Sequence, residues 1–368
     1  MKLTCNRDNL IEGINIVQRA VASKSTNPVL EGIYIDVTEE MVLSGNDTEL
    51  GITCEVPAII EEIGSLVVSS KTFGDIVRKL PDTFVSLETD DTGKMIIIKS
   101  GSSKSMLRLI PAESFPKVNP IDSTNSIEVK SSTLIDMIKQ TSFAAAIGDA
   151  RPNLKGVYLE KIPGMLNMVA VDGYRLAFKY IEHQGNESIG ALIPPRTLNE
   201  LSRIISRSDE MINILCNDTS IMFCNERVKI ISKLIRENFI DYKNTIPKDF
   251  NTKAAVSTAE LLSAVERASL IILDDKRSSL IFNIDEEGIF ISSTSDFGQT
   301  AEKVNAQVSG SPLTIAFTPK NMIDCLRAVE AENIIFSFTI DRGPAIIRND
   351  GVEDDFTCLI MPVKVNNR

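Results

Sequence analysis

The sequence contains few of the residues from which catalytic and metal sites are usually built. Its 368 residues include no tryptophan, five tyrosines and one histidine, His183. A single histidine excludes a metal centre made of several imidazoles and argues against a Ser-His-Asp triad. So few aromatic rings also argue against a stacking platform for single-stranded nucleic acid.

Cysteine pairs and long apolar runs are also missing. The six cysteines are scattered without a C-x-x-C motif, which is typical of reduced, buried thiols in a cytoplasmic protein. No apolar run approaches the roughly 18 residues of a membrane span. The charged start, Met1-Lys2-Leu3-Thr4, does not read as a secretory signal. We therefore expect a cytoplasmic protein with no membrane partner.

Glycine-rich phosphate loops are absent as well, because neither G-x-x-x-x-G-K-[ST] nor G-x-G-x-x-G occurs. Acidic clusters at Asp90-Asp91, Asp274-Asp275 and Glu353-Asp354-Asp355 could serve acid–base or metal chemistry. Solvated turns are the better interpretation, since Asp caps its own backbone there. We predict no catalytic residue, no metal and no cofactor.

One pattern is present three times, at a spacing of 124 to 125 residues. Asp47, Asp172 and Asp296 each follow an apolar run and mark this spacing. In each copy an amphipathic helix leads through a loop into apolar strands, and a second helix follows. Such a period indicates three homologous domains, which we place at 1–124, 125–250 and 251–368. Each is expected to be α+β, with two helices and mostly antiparallel sheet.

Charge is spread unevenly over these copies. The chain has 39 Lys+Arg, 50 Asp+Glu and a net charge of −11, which argues against an indiscriminate basic DNA binder. The six predicted helices, however, carry a net charge of +3 and leave −14 for the rest. Basic residues recur at equivalent places in each second helix: Lys71, Arg78, Arg196, Arg203, Lys320 and Arg327. They predict a shared face for phosphate backbone, although an ordinary solvated helix face remains the alternative.

Several motifs resemble the bacterial DNA polymerase III beta subunit family, the replicative sliding clamps. They include Val171-Asp172-Gly173-Tyr174-Arg175-Leu176-Ala177, Asn238-Phe239-x-Asp241-Tyr242 and Leu359-Ile360-Met361-Pro362-Val363, and the resemblance extends along the whole chain. It implies a head-to-tail homodimer in which six domains close a ring, with helices inside and sheets outside. Such a ring would encircle duplex DNA and tether a polymerase without catalysing a reaction, after a separate clamp loader opens it.

The resemblance also implies a pocket for partner peptides between the second and third domains. Apolar groups there would take a leucine or phenylalanine anchor, and arginines would hold carbonyls or carboxylates. For Arg175 a structural ion pair is the alternative. The implied pocket residues are Arg151, Leu154, Val171, Gly173, Tyr174, Arg175, Leu176, Ile240, Asn244, Thr245, Ile360, Met361, Pro362 and Val363.

DNA contacts and a subunit interface follow from the same resemblance. At the interface, Leu107 of the first domain should meet Ile272 and Leu273 of the third. The implied DNA contacts are Lys24, Lys71, Arg78, Arg196, Arg203, Arg207, Lys320 and Arg327.

Three positions depart from the family pattern and bear on partner preference. Members often have His where Tyr174 stands, Pro where Ile240 stands and Arg where Asn244 stands. Two alternatives to a replicative clamp are a three-domain protein-binding scaffold that never encircles DNA and a specialised duplicate clamp. A hydrolase that uses the acidic clusters is a third hypothesis.

Overall fold

The structure is a computed structural model that describes residues 1–121, 126–148, 151–272, 279–351 and 355–364. Each of the three sequence repeats contains two α-helices. They are α1 (Arg7–Val17), α2 (Ser70–Val77), α3 (Ser131–Thr141), α4 (Pro195–Ile204), α5 (Thr258–Ser269) and α6 (Pro319–Ala328). The predicted α+β class with two helices per copy is confirmed.

The strands separate and follow these helices in a similar order in each repeat. In the first repeat they are β1 (Lys2–Asn6), β2 (Gly32–Val37), β3 (Met41–Asn46), β4 (Leu50–Val56), β5 (Ala58–Glu62), β6 (Gly64–Ser69), β7 (Phe84–Thr89), β8 (Met95–Ser100) and β9 (Ser103–Ile110). In the second they are β10 (Ser126–Lys130), β11 (Val157–Ile162), β12 (Met165–Val171), β13 (Arg175–Glu182), β14 (Ile189–Ile193), β15 (Met211–Cys216), β16 (Ser220–Cys224) and β17 (Val228–Lys233). In the third they are β18 (Thr252–Ser257), β19 (Leu280–Asp285), β20 (Gly288–Ser295), β21 (Gly298–Val304), β22 (Ala306–Gly310), β23 (Leu313–Phe317), β24 (Asn333–Phe338), β25 (Ala345–Asn349) and β26 (Phe356–Ile360).

The first helix of the chain shows why these residues become helical. The Asn6 side chain caps α1 by accepting hydrogen bonds from the backbone N–H groups of Asp8 and Asn9. Its buried residues, Leu10, Ile14 and Val17 among them, recur at the spacing of a single helix face. That face packs against β3 and β4, so the helix is held chiefly by tertiary burial rather than by intrinsic propensity.

Strands from successive repeats pair edge to edge. Antiparallel pairing joins β4 to β17 in a 13-stranded sheet of order β10-β15-β16-β17-β4-β3-β2-β6-β9-β8-β7-β1-β5. It joins β13 to β26 in a nine-stranded sheet of order β14-β11-β12-β13-β26-β25-β24-β18-β22. A four-stranded sheet has the order β21-β20-β19-β23. The backbone hydrogen bonds thus run without interruption from one repeat into the next.

Contacts divide the chain into two compact units that do not coincide with the repeats. Unit 1 comprises Met1–Ser132 and Asn199–Leu234, and unit 2 comprises Thr133–Leu198 and Ile235–Arg368. The central repeat contributes to both units because β17 belongs with β4, whereas β13 belongs with β26.

The cysteines differ from expectation in one respect. Cys325 of α6 and Cys358 of β26 form a disulfide, so the prediction that all the thiols are reduced is wrong for this pair. The two residues are 33 positions apart but pack in one core, a proximity that sequence spacing does not reveal. Cys5, Cys54 and Cys216 are free and buried, and Cys224 is free and half-buried.

Candidate partner-peptide site and basic helix faces

An apolar cluster in unit 2 contains residues from several of the predicted pocket segments. Its fully buried members are Val169, Val171, Leu176, Tyr242, Ile346 and Leu359. Half-buried Leu154, Ile240 and Met361 pack against it. We call these last three side chains, with Val171 and Leu176, the apolar patch. Five predicted pocket residues, from four separate chain segments, therefore lie on one cluster.

A tight turn between β12 and β13 borders the apolar patch. The Asp172 Oδ1 atom accepts hydrogen bonds from the backbone N–H groups of Tyr174 (2.8 Å) and Arg175 (3.0 Å). Gly173 has a φ of +92°, a conformation that side chains disfavour. The turn leaves the Tyr174 side chain 66% exposed, while its carbonyl accepts a hydrogen bond from the Met361 N–H (2.7 Å).

Arg175 points into unit 2 and is only 6% exposed. Its Nε lies 3.0 Å from Asp172 Oδ2, its Nη1 lies 2.7 Å from Asp324 Oδ2, and its Nη2 donates to the Phe143 carbonyl (2.8 Å). The guanidinium also lies 5.2 Å from the centre of the Phe143 ring. These are the contacts of the structural ion pair that the sequence left open as an alternative for Arg175.

The two acids differ in how they hold this arginine. Burial alone would raise the pKa of Asp324, but hydrogen bonds from Arg175 and Lys320 outweigh it and hold that pKa below its ordinary value. Asp172 instead shares its two oxygens between the turn and the guanidinium. Arg175 thus ties the turn to α6.

The remaining predicted pocket residues lie around the apolar patch in different environments. Ile360 is buried in β26, opposite Arg175 in the sheet, and packs into the larger C-terminal core. Pro362 and Val363 are half-buried, and the Val363 N–H donates to Ala316. Arg151, Asn244 and Thr245 are exposed. Asn244 uses its Nδ2 to contact Asp241 Oδ2 at 2.6 Å.

Two aromatic residues beside the apolar patch, Tyr158 and Phe178, were missed by sequence reasoning, whereas their neighbours Phe239 and Tyr242 belong to a quoted family motif. Tyr158 stacks on Phe239 with ring centres 4.9 Å apart, and Phe178 lies 5.5 Å from Tyr242. The repeat carried a usable signal: Tyr34 and Phe115 stand 124 residues earlier than the stacked pair and stack at 5.0 Å. Such rings support the segment that follows β17.

The first repeat shows why the same fold need not form the same patch. Asn46 and Gly51 occupy the positions that correspond to Val171 and Leu176. The Asn46 Nδ2 donates to the Pro116 carbonyl at 2.8 Å. A polar side chain and a glycine thus replace two apolar groups in unit 1, which removes the buried surface that an apolar anchor would need.

The predicted DNA contacts are exposed residues, and the described residues include ion pairs that involve some of them. Among these pairs are Arg78–Asp75 (3.4 Å), Arg203–Glu200 (3.0 Å), Lys320–Asp324 (2.7 Å) and Arg327–Glu266 (2.7 Å). Arg78–Asp75 and Arg327–Glu266 are exposed on both sides. Such pairs contribute about 0 to 1 kcal/mol, so a phosphate can replace the carboxylate at small cost. Lys24, Lys71, Arg196 and Arg207 are also exposed.

Of the three predicted interface residues, two lie within the described residues. Leu107 is half-buried on β9, next to Met106, which is 48% exposed. Ile272 is 2% exposed and packs in the C-terminal core of the single chain, and its place at the interface stays a prediction. The neighbouring Leu270 is 68% exposed instead. Leu273 lies outside the described residues.

Of the acidic clusters, the one at Asp90 is a hairpin turn. The Asp90 Oδ1 accepts from the backbone N–H groups of Lys94 and Met95, both at 2.9 Å. Asp274-Asp275 and Glu353-Asp354 lie outside the described residues. In the described ranges, no three His, Cys, Asp or Glu side chains form a group that could hold a metal ion. No helix within the same ranges has the length and apolar character needed to cross a membrane.

Comparison with known proteins assigns the fold and the family. Family models of the DNA polymerase III beta subunit match three successive segments: the N-terminal domain at 1–119, the central domain at 128–241 and the C-terminal domain at 243–364. The beta sliding clamp of Bacillus subtilis is 32% identical over 99% of this chain and 100% of its own length. That of Halalkalibacterium halodurans is 30% identical over 94% of this chain and 95% of its own.

Solved structures agree with the sequence relatives. A DNA polymerase sliding clamp from Bacillus subtilis matches with a TM-score of 0.95 and 32% identity over 99% of both chains. A DNA polymerase III beta subunit structure from Eubacterium rectale, described as putative, matches at 0.94 and 32% identity, over 99% of this chain and 100% of its own. The fold is therefore a clamp fold. The chain belongs to the DNA polymerase III beta subunit family.

Proposed function

We propose that this protein is a cytoplasmic sliding clamp, a non-catalytic ring that encircles duplex DNA and makes a replicative polymerase processive. Relatives named beta sliding clamp match it over nearly its full length, at 30 to 32% identity. A clamp functions by binding and enclosure, so it needs no catalytic group. The family domains support the boundary that we propose at 124, whereas the matched central and C-terminal domains meet at 241–243, before the boundary that we propose at 250.

The observation that carries the proposal is the way sheets continue from repeat to repeat. The strand that ends one repeat pairs with the fourth strand of the repeat before it, as in β17 with β4 and β26 with β13. By the same spacing β9 corresponds to β17, and β21 corresponds to β4. Among the described residues, β21 ends its sheet, and β9 pairs beyond β8 only through Leu109 and Ile110.

Two open edges of matching type favour a head-to-tail homodimer. The β9 edge of one copy would pair with the β21 edge of a second copy, and the reverse pairing would close the ring. Leu107 on β9 and the exposed Leu270, just after α5, are the apolar groups proposed for this junction. A groove of about 490 Å³ beside β9, lined in part by Ile76 and Leu80, could accept such a side chain.

Duplex DNA would contact the exposed basic residues of the helices. Non-specific enclosure needs phosphate contacts and no base readout. The eight residues proposed for this contact are Lys24, Lys71, Arg78, Arg196, Arg203, Arg207, Lys320 and Arg327. The pairs Arg78–Asp75 and Arg327–Glu266 are exposed on both sides and weak enough for phosphates to replace the carboxylates.

The apolar patch would bind a short segment of each partner, including the polymerase catalytic subunit and the clamp loader. Leu154, Val171 and Met361 would surround a leucine or phenylalanine anchor, because burial of such side chains drives recognition. Tyr174 and Arg151 would contact the peptide from the exposed rim. Arg175 would contribute indirectly, by holding the turn between β12 and β13 in place.

The test is topological. The protein is loaded onto nicked circular DNA by a clamp loader and isolated by gel filtration, and the DNA is then cut once. A ring should remain on the circle and slide off the linear product. A protein-binding scaffold would never be retained on the circle, and a tight DNA binder would survive the cut; either outcome overturns the proposal. Support of processive synthesis by a polymerase then separates a replicative clamp from a specialised duplicate.

A further inference from the structure

The segment Phe239–Ile246 forms one side of the proposed peptide site but has little regular structure. It contains a single 3-10 turn, Lys243–Thr245, in which the Thr245 N–H donates to the Tyr242 carbonyl at 3.0 Å. Ile240 contributes to the apolar patch from this segment. A segment without strand or helix pairing needs side-chain anchors to hold one position.

Tyr242 supplies such an anchor through its hydroxyl group. The side chain is 3% exposed, and its Oη donates to Glu160 Oε2 at 2.7 Å. The same carboxylate oxygen accepts from Asn167 Nδ2 (2.9 Å) and lies 3.0 Å from Lys243 Nζ. Glu160 and Asn167 belong to the paired strands β11 and β12, so the anchor attaches the segment to the sheet.

The environment makes these hydrogen bonds strong. Burial alone would raise the pKa of Glu160, but hydrogen bonds from Tyr242, Asn167 and Lys243 outweigh it and hold the pKa below its ordinary value. The carboxylate is therefore ionised at neutral pH, and its hydrogen bonds are charge-assisted.

The rings fix the direction of the same anchor. The Tyr242 ring centre lies 5.5 Å from that of Phe178 on β13 and 6.3 Å from that of Phe239. Phe239 in turn stacks on Tyr158 of β11 at 4.9 Å. Ile240 lies between the two anchored aromatic residues, so its position depends on both of them.

We propose that the Tyr242–Glu160 hydrogen bond positions the Phe239–Ile246 wall and thereby sets the affinity of the apolar patch for peptides with an apolar anchor. In this proposal Tyr242 and Glu160 act as positioning residues, which hold the wall in place through their mutual hydrogen bond. The inference rests on the proposed peptide site and adds a hydrogen bond that controls the shape of that site.

The central variant is Tyr242→Phe, which removes one hydroxyl and keeps the ring packing. Binding of a fluorescent synthetic peptide ending in Leu-Phe is measured by anisotropy. We expect binding about tenfold weaker, the effect of one charge-assisted hydrogen bond, with faster dissociation. The matched control is Tyr158→Phe, which removes a hydroxyl from the same aromatic group but leaves the donors to Glu160 intact. Its affinity should stay within about twofold of the unmodified protein.

Two further variants separate positioning from general destabilisation. Glu160→Gln retains an acceptor without the charge and should lose less affinity than Glu160→Ala. Glu160→Ala also removes the contacts with Asn167 and Lys243, so it should lose at least as much affinity as Tyr242→Phe. The double variant Tyr242→Phe/Glu160→Ala should lose no more than Glu160→Ala alone, because the Tyr242 hydroxyl acts through Glu160. The thermal midpoint and retention on circular DNA report whether each variant is folded and still encloses DNA.

The outcomes distinguish this inference from the proposed function. If the unmodified protein ignores the peptide, the proposed peptide site itself fails. If it binds the peptide and Tyr242→Phe binds equally well, the positioning role is wrong. Additive losses in the double variant would also overturn it, because Tyr242 and Glu160 would then act separately.

Discussion

At the scale of single residues, the partners of a side chain matter more than its type. Arg175 and Arg151 are both implied pocket residues, but Arg175 is buried among two carboxylates and a carbonyl, while Arg151 is exposed. Removing one partner of a buried pair leaves the other charge uncompensated, whereas an exposed charge is easily hydrated. The implied pocket thus contains one arginine for stability and one available to a ligand.

Substitution of Arg175 should therefore affect stability more than substitution of Arg151. Arg175→Ala leaves Asp172 and Asp324 without their shared partner, and we expect a loss of about 3 kcal/mol in the free energy of unfolding. Arg151→Ala is the control and should change it by less than about 0.5 kcal/mol. Urea unfolding followed by circular dichroism measures both, and equal losses would contradict the assigned contacts.

Asp324 should contribute to the acid sensitivity of unit 2. Its pKa is held below the ordinary value of 3.8 in the folded protein. It therefore stabilises the fold above pH 3.8, and this contribution is lost as the pH falls through the lower folded value. The difference in unfolding free energy between the unmodified protein and Asp324→Asn should shrink as the pH is lowered from about 6 to about 3. A constant difference would show that the carboxylate charge is not the stabilising feature.

At the scale of elements, the unpaired strand edges are the most informative feature. β4 and β13 are covered by strands of the next repeat, but β21 ends its sheet within the described residues. An uncovered edge invites pairing with another chain. β9, with its alternating burial, offers the complementary edge.

A charge on β9 should separate the proposed subunits without unfolding either one. Leu107→Asp should convert a dimer of about twice 40.5 kDa into a monomer in native mass spectrometry. Ile59→Asp is the matched control, because Ile59 is 72% exposed on β5 of the same sheet. The control should remain dimeric, and a dimeric Leu107→Asp protein would exclude β9 from the interface.

The link between α6 and β26 can be checked by counting thiols. With Cys325 and Cys358 joined, a denatured, unreduced sample should take up alkylating label on the four remaining cysteines. After reduction all six should react. Intact-mass measurement reads the number of labels, and six labels without reductant would show that the thiols are free in solution.

At the scale of the whole molecule, enclosure explains how an acidic protein can hold DNA. A net charge of −11 disfavours lateral association with a polyanion. A closed ring needs only weak internal contacts, because the topological link prevents departure. Exposed basic residues that are already paired with carboxylates fit that weak, mobile contact.

Salt should therefore distinguish a threaded ring from surface binding. Raising the salt from about 50 to about 200 mM should remove the unloaded protein from linear duplex, since phosphate contacts release counterions. Protein loaded on closed circular DNA should be retained over the same range. Equal losses from the two DNA forms, measured by gel filtration, would contradict enclosure.

Much of the architecture could be predicted from the sequence, because a pattern of helices and strands that recurs three times is less ambiguous than any single copy. The spacing of Asp47, Asp172 and Asp296 predicted three copies of one α+β domain, and the two helices in each copy are confirmed. The resemblance implied the segments of the proposed peptide site, and the apolar patch brings five of the implied pocket residues together. Which motif residues face inward was not predictable, because burial depends on neighbours distant in the chain.

By itself, the sequence determined the fold class, the threefold repeat and the family, since these depend on periodic apolar patterns and ordered motifs. Tertiary structure alone decided that Arg175 meets Asp324, that Ile272 is core and that Cys325 meets Cys358. It also gathered Tyr158, Phe178 and Tyr242 beside the apolar patch. The reason is physical: a period reports which face of an element is apolar, whereas a contact between distant residues exists only once the strands and helices have packed.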